Sequence, residues 1–408
     1  MYNVANTGAA MIRKIKITNF KSIKSDEITL PKFAAIIGKN SSGKTNFLTA
    51  IRLIKHLASG ETIETILSKI APIRDEIFYF WEDKKSADFE LAVETKSKEL
   101  FKLAFSISKN WDNDKNDILI SRESLCQLVK EEGVTKEKFI YKRTPKGVLD
   151  HNNNSVPLTI SNNKLALANY SNQEALKIAS LISDFVVLEA EYERKQGQHI
   201  VSEDKIDTNI LDDLIVSVYN KSRTDFESAV AVVKQLIPEF EKPRVLELSK
   251  FFEEEEKSGD EPKKKDTPES YIVRWSEKGF SGGYSSTTLS SGNLKTIFII
   301  FTIFNSREKT FVAMEEIENG MHYARIEGLV DQLKTQSSNR KVQTIFTTHS
   351  SIILKSLSPK EVIHCERTLQ QGTILRPLTA MDEYDAIVSS LEEDIQNAAE
   401  VIDSGLFD

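Results

Sequence analysis

The stretch from Ile36 to Asn46 reads Ile-Ile-Gly-Lys-Asn-Ser-Ser-Gly-Lys-Thr-Asn, which meets the spacing G-x-x-x-x-G-K-T. A glycine at each end of such an arch lets the backbone curl until successive N–H groups face one anion. A helix that begins at the second glycine adds its positive end. On this reading Gly38, Lys39, Asn40, Ser41, Ser42, Gly43, Lys44, Thr45 and Asn46 cradle phosphate oxygens. Lys44 reaches the β- and γ-phosphates, and the Thr45 hydroxyl ligates Mg²⁺. The chemistry implied is the binding of a nucleoside triphosphate, with ATP and Mg²⁺ as the expected cofactors.

Three later segments could complete such a centre. Thr310-Phe-Val-Ala-Met is an apolar strand pattern that runs into Glu315 and Glu316. The first acid would help to hold Mg²⁺, and the second would orient or deprotonate an attacking water. Val342-Gln-Thr-Ile-Phe-Thr-Thr is a second strand pattern, ending at His349 and Ser350. Leu289-Ser290-Ser291-Gly292-Asn293 precedes an apolar helix containing Leu294, Ile297, Phe298 and Phe301, so its N–H groups could meet an anion. Each segment alone has a plainer reading: acids capping a helix, an ordinary histidine, a turn before a helix.

The elements that must position these residues are also legible. Phe33 to Ile37 reads as a buried strand before the loop, and Phe47, Leu48, Ile51, Ile54 and Leu57 form a helical stripe after it. Residues 86–108 alternate apolar and polar, which predicts an antiparallel layer. Residues 109–165 look polar and turn-rich, with Asn152-Asn153-Asn154 the clearest loop. Ser171 to Glu174 and Thr224 to Glu227 read as capping boxes that open helices. Helical spacing joins Ile210, Leu211, Leu214, Ile215 and Val218, and again Phe226, Val230, Val233 and Ile237. The charged stretch 253–266 reads as a solvated loop or hairpin tip. Tyr271 to Trp275 reads as a strand returning to the core, and from Leu289 strands and helices alternate, as in a parallel sheet.

Composition narrows the class. A chain of 408 residues with 40% hydrophobic and 28% charged residues is that of an ordinary globular protein of two or three domains. No apolar run approaches the roughly 20 residues of a membrane span, and Met1 to Ala10 lacks the pattern of a signal peptide. Cys126 and Cys365 have no metal-like spacing and suit a reducing, cytoplasmic location. A net charge of −7 excludes a surface that is basic throughout, while a local basic groove stays open.

The loop, the Leu-Ser-Ser-Gly segment, the paired acids and the histidine follow one another in the chain order of an ATP-binding-cassette (ABC) ATPase, which the sequence resembles over about residues 11–60 and 270–380. The resemblance implies an α/β fold: an ABC-type ATPase head with a mixed central sheet and an antiparallel β-layer, plus an inserted helical lobe. The expected parts are an N-terminal half over 1–108, an inserted β-hairpin and helical lobe over 109–270, and a C-terminal half over 271–408. It also implies roles. Ser290, Ser291 and Gly292 match the family signature, which in one subunit closes over the γ-phosphate held by the other. Glu315 and Glu316 match the Walker B acids, and His349 the switch histidine. The family carries Asp at the first acid, so Glu315 is a departure whose extra methylene would shift the carboxylate toward a water-mediated contact.

The opening Ile17-Thr-Asn-Phe20-Lys-Ser-Ile and the block Glu315-Glu-Ile-Glu-Asn-Gly-Met-His322 resemble the RecF/SMC/OLD group, which acts on DNA or in anti-phage defence. No sustained heptads suggest an SMC coiled coil. Residues 350–408 look too short for the TOPRIM nuclease domain of OLD proteins. Asp382, Glu383 and Asp385 read instead as a helix-start cluster. The resemblance implies an ATPase that forms a homodimer or higher homo-oligomer around ATP and regulates a separate effector, a nuclease or toxin, in anti-phage defence, away from any membrane. Two other readings stay open: a nucleotide-gated scaffold with little hydrolysis, and a RecF-like repair ATPase that binds nucleic acid. For the latter, the Lys-rich segment 130–146 with Phe139 and Tyr141 is the basic-aromatic candidate.

Overall fold

A computed structural model describes residues 10–71, 74–79, 82, 85–109, 117–144, 147–157, 161–188, 208–247, 271–279, 283–382, 384–390 and 397–402. The charged stretch 253–266 and Glu383 lie outside the described residues. In chain order the strands are β1 (Ala10–Phe20), β2 (Ile23–Thr29), β3 (Phe33–Ile37), β4 (Ser86–Thr95), β5 (Leu100–Lys109), β6 (Ile118–Glu131), β7 (Val134–Thr144), β8 (Gly147–Asp150) and β9 (Ser155–Val156). They continue with β10 (Val186–Leu188), β11 (Arg244–Glu247), β12 (Tyr271–Arg274), β13 (Phe311–Met314), β14 (Gln343–Thr347), β15 (Val362–Thr368) and β16 (Gly372–Pro377). The described residues fall into two compact units, one drawn from 1–189, 307–317 and 341–408, the other from 190–306 and 318–340.

The first unit is built on one sheet, in the order β10-β13-β14-β3-β15-β16-β2-β1-β4-β5-β6-β7-β8-β9. From β10 to β15 the neighbours are parallel; from β15 outward they are antiparallel. The division follows from burial. β13 and β14 are buried at every position, as strands covered on both faces must be, whereas β5 alternates. The helix after β3, α1 (Lys44–Ala58), which α2 (Ile63–Ile70) follows, buries the expected stripe of Phe47, Leu48, Ile51, Ile54 and Leu57. These side chains share one hydrophobic core with Ile15 and Ile17 of β1, Phe89 of β4 and Phe105 of β5. Burying each such side chain contributes roughly 1.5–3 kcal/mol.

The stretch 109–165, expected to be polar and turn-rich and to include a β-hairpin, carries the longest strand among the described residues and its hairpin partner, β6 and β7. Ile118, Ile120, Leu125 and Tyr141 face the core while polar neighbours face outward, so mean polarity hid the period of two. The turn around Asn152–Asn154 matches the expectation.

Helix starts also shift by a residue or two. Asn172, not Ser171, caps the helix α3 (Gln173–Ser183), accepting from the N–H groups of Glu174 and Ala175. In the second unit, α4 (Thr208–Lys221) is followed by α5 (Arg223–Leu236), capped by Ser222 rather than Thr224. With α6 (Ser291–Asn305) and α7 (Tyr323–Arg340) they form a helical lobe, to which β11 and β12 add an antiparallel pair. Arg340 joins three of these helices, with Nη1 2.7 Å from Asp225 Oδ1 and Nη2 2.8 Å from the Phe304 carbonyl. No described helix is long and apolar enough to cross a membrane.

Candidate nucleotide site

The phosphate-type loop occupies the C-terminal end of β3, where two of its residues must be glycine. A Cβ on Gly38 would lie 2.1 Å from the Cys365 carbonyl oxygen. Gly43 has φ +112°, and a Cβ there would lie 2.1 Å from Thr373 Oγ1. The Thr373 hydroxyl donates to the Ser42 carbonyl at 2.7 Å, so it must accept from Ser22 Oγ, 2.8 Å away, which in turn accepts from Asn46 Nδ2 at 2.6 Å. This relay ties the C-terminal side of the arch to the turn between β1 and β2 and to β16. Inside the arch, Ser42 Oγ is buried without a hydrogen-bond partner. The first turn of α1 has no side-chain cap and no acidic residue of its own. An orphaned hydroxyl and an uncapped helix start fit a bound phosphate.

Lys44 is 5% exposed. Its Nζ donates to the carbonyls of Gly38 at 2.8 Å and Lys39 at 3.1 Å and stands 3.5 Å from His349 Nδ1. An ammonium can only donate, so Nδ1 accepts and the proton of a neutral imidazole sits on Nε2. That nitrogen lies 3.5 Å from Glu316 Oε1. Lys44, His349 and Glu316 thus form a line across the site.

Glu315 follows β13 directly and is anchored by its backbone N–H to the Leu188 carbonyl at 2.8 Å. The Thr45 hydroxyl donates to Glu315 Oε1. The extra methylene of Glu315 therefore does not keep its carboxylate from the Thr45 hydroxyl, and the two oxygen donors converge where a hard cation such as Mg²⁺ fits. Glu316 sits in the left-handed region at φ +43°. A cleft of about 770 Å³ opens beside these groups, bordered by Gly38 to Ser42, His349, Arg376 and Asp382. His364 also borders it, and burial lowers its pKa against the opposing pull of Glu366.

A family profile described as "AAA domain, putative AbiEii toxin, Type IV TA system" matches residues 33–355, from the strand before the loop to the turn after His349. The chain belongs to that family. It is a RecF/SMC-like P-loop ATPase by fold. The crystal structure of an SMC head bound to the C-winged helix domain of ScpA superposes with a TM-score of 0.52 at 13% identity, covering 90% of this chain and 97% of that one. An SMC head with an extended coiled coil, bound to the C-terminal domain of ScpA derived from Pyrococcus furiosus, gives 0.51 at 12% identity, covering 90% and 96%. At such identity the likeness establishes the ABC-type head fold alone. No curated protein matches the sequence.

In this AAA-domain chain the first unit brings together Gly38 to Asn46, Glu315, Glu316 and His349. Ser290, Ser291 and Gly292 belong to the second unit, where the Ser290 side chain caps α6 by accepting from Asn293 N–H at 3.3 Å. Gly292 allows a close approach there, since a Cβ would lie 2.4 Å from the Gly320 carbonyl oxygen. Motif reading missed Ser22, Thr347 and Thr373. Thr373 lies 331 positions from the residue it supports, and no local pattern carries such a pairing.

Proposed function

We propose that this chain binds ATP with Mg²⁺ and hydrolyses it, dimerises around the nucleotide, and thereby regulates a separate effector in anti-phage defence. The observation that carries this reading is the convergence of Lys44, the Thr45–Glu315 pair and the Glu316–His349 pair at the ends of β3, β13 and β14. Lys44 leaves its loop carbonyls for the β- and γ-phosphates. Thr45 and Glu315 would hold Mg²⁺, which neutralises phosphate charge when bound. Glu316 orients water in line with the γ-phosphate and accepts its proton, while His349 holds a γ-phosphate oxygen through Nε2–H. The α6 start of a second copy, with Ser290, Ser291 and Gly292, closes over the same phosphate. The family to which the chain belongs is itself described as a putative toxin of a type IV toxin–antitoxin system.

Phosphate release and particle mass, followed with ATP, test this. Wild type is expected to turn over and to dimerise with ATP. Glu316→Gln is expected to keep the ATP-bound dimer and lose turnover, and Ser290→Arg to keep ATP binding and lose the dimer. Unchanged turnover in Glu316→Gln removes the hydrolytic reading; an unchanged dimer in Ser290→Arg removes the trans arrangement.

A further inference from the structure

A non-glycine residue in the left-handed region is costly, and Glu316 holds that conformation at the residue proposed to handle the attacking water. Something must over-determine it. Thr347, the last residue of β14 and fully buried, does so twice. Its Oγ1 accepts the Glu316 N–H at 2.9 Å, and its carbonyl accepts the Ile317 N–H at 3.4 Å. β14 is itself fixed to β3, with Thr347 opposite Ile36 and the Thr348 N–H on the Ile36 carbonyl at 3.1 Å. Two residues after Thr347 comes His349, whose Nε2 faces the Glu316 carboxylate.

We infer that Thr347 is a positioning residue for turnover: its hydroxyl locks the Glu316 backbone so that the carboxylate stands at a set distance from His349 and from the phosphate loop. This rests on the role proposed for Glu316. The backbone of Glu316 could otherwise relax toward the broad right-handed or extended regions, swinging the carboxylate away without touching any group that binds phosphate. The hydroxyl should therefore act on kcat and leave ATP affinity alone. A residue that merely fills the core would instead be replaceable by its isostere.

Ser and Ala at this position both lose the γ-methyl and differ only in the hydroxyl, so the pair T347S and T347A isolates it; T347V adds the isosteric case. Turnover, ATP affinity and thermal midpoint are measured for all three beside wild type and E316Q. The expected result is kcat within twofold of wild type for T347S and at least about tenfold lower for T347A and T347V, with ATP affinity within twofold throughout. Should T347V fail to fold, the Ser/Ala pair carries the same comparison. Wild-type kcat in T347A while E316Q is inactive overturns the inference and leaves Glu316 in its role. A kcat loss shared equally by T347S and T347A, or one matched by lost ATP affinity, also overturns it, as packing. Full turnover in E316Q, or none in wild type, overturns the role of Glu316 and the inference with it.

Discussion

The two halves of the large sheet place buried polar groups in opposite ways. In the parallel half the polar groups of the site gather beyond the strand ends, on backbone held at unusual angles at Ser41 (φ +62°), Gly43 (+112°) and Glu316 (+43°). Their partners are incomplete, as the orphaned Ser42 hydroxyl shows. In the antiparallel half a polar cluster sits in mid-sheet and closes on itself. Glu123 accepts from the Tyr141 hydroxyl, from Ala166 N–H at 2.6 Å and from Leu167 N–H at 2.9 Å, with Arg143 Nη1 3.7 Å away. Arg143 also donates to the Lys164 carbonyl at 2.6 Å and to Asn162 Oδ1 at 2.9 Å. Burial pushes the Glu123 carboxyl above the usual carboxylate range, and those hydrogen bonds pull it back. The lesson is that a satisfied polar cluster secures a loop, whereas an unsatisfied one at strand ends is shaped for a ligand.

The largest expected effect separates the two roles. Arg143→Met strips a buried carboxylate of its cation and is expected to cost about 3–5 kcal/mol of stability, while ATP affinity stays within about twofold. Urea unfolding and calorimetric titration measure the two quantities. Lost affinity with unchanged stability would dissolve the division. Lys44→Ala is the converse. Affinity for ATP is expected to fall about a hundredfold, equivalent to ~2.7 kcal/mol, with little change in the thermal midpoint. Unchanged affinity in that variant would remove the phosphate loop from the site.

Gly43→Ala joins the two regions, because the space for its Cβ is filled by Thr373 of β16. Strain at a positive φ plus that overlap should cost about 1–3 kcal/mol and weaken ATP binding together. A variant with normal affinity would mean that the relay through Thr373 and Ser22 does not shape the arch.

How much of this was written in the sequence follows the same division. The loop, both acids and the histidine were legible because each lies within a few residues of a strand end, and local spacing records that. The parallel strands β3, β13 and β14 were legible as continuous apolar runs. The β6–β7 hairpin was legible only in outline, because the exposed start of β7, rich in Lys and Glu, resembles loop in composition and hides the strand bounds. The Ser22–Thr373 relay and the Glu316–Thr347 bond were also hidden. They join residues brought together only by strand order in the sheet, and threonine is an unremarkable residue in any strand. The Ser222 and Asn172 caps were missed by a residue or two because several hydroxyl and amide side chains cluster at each start.

The seam between β16 and β2, inside the antiparallel half, gives the smallest effect and the most specific pH signature. β16 and β2 share a single ladder pair, Gly372 with Ile23, and the Asp26 carboxylate substitutes for the missing backbone acceptor by taking the Leu375 N–H at 3.1 Å. Burial raises the Asp26 pKa to about 6, although the Leu375 and Glu27 N–H groups work against that rise. The folded state therefore holds this proton more tightly than the unfolded chain, in which a carboxyl titrates near about 4. Its contribution to stability is complete below about pH 4 and is lost as the pH rises through 6. Asp26→Asn keeps the accepting oxygen and removes the charge. It should stabilise the fold by on the order of 1–2 kcal/mol at pH 8, with the difference vanishing toward pH 4. Thermal midpoints at pH 4, 6 and 8 measure this. A gain that is constant across those pH values would assign it to packing rather than to the buried charge, and would make the seam an ordinary strand contact.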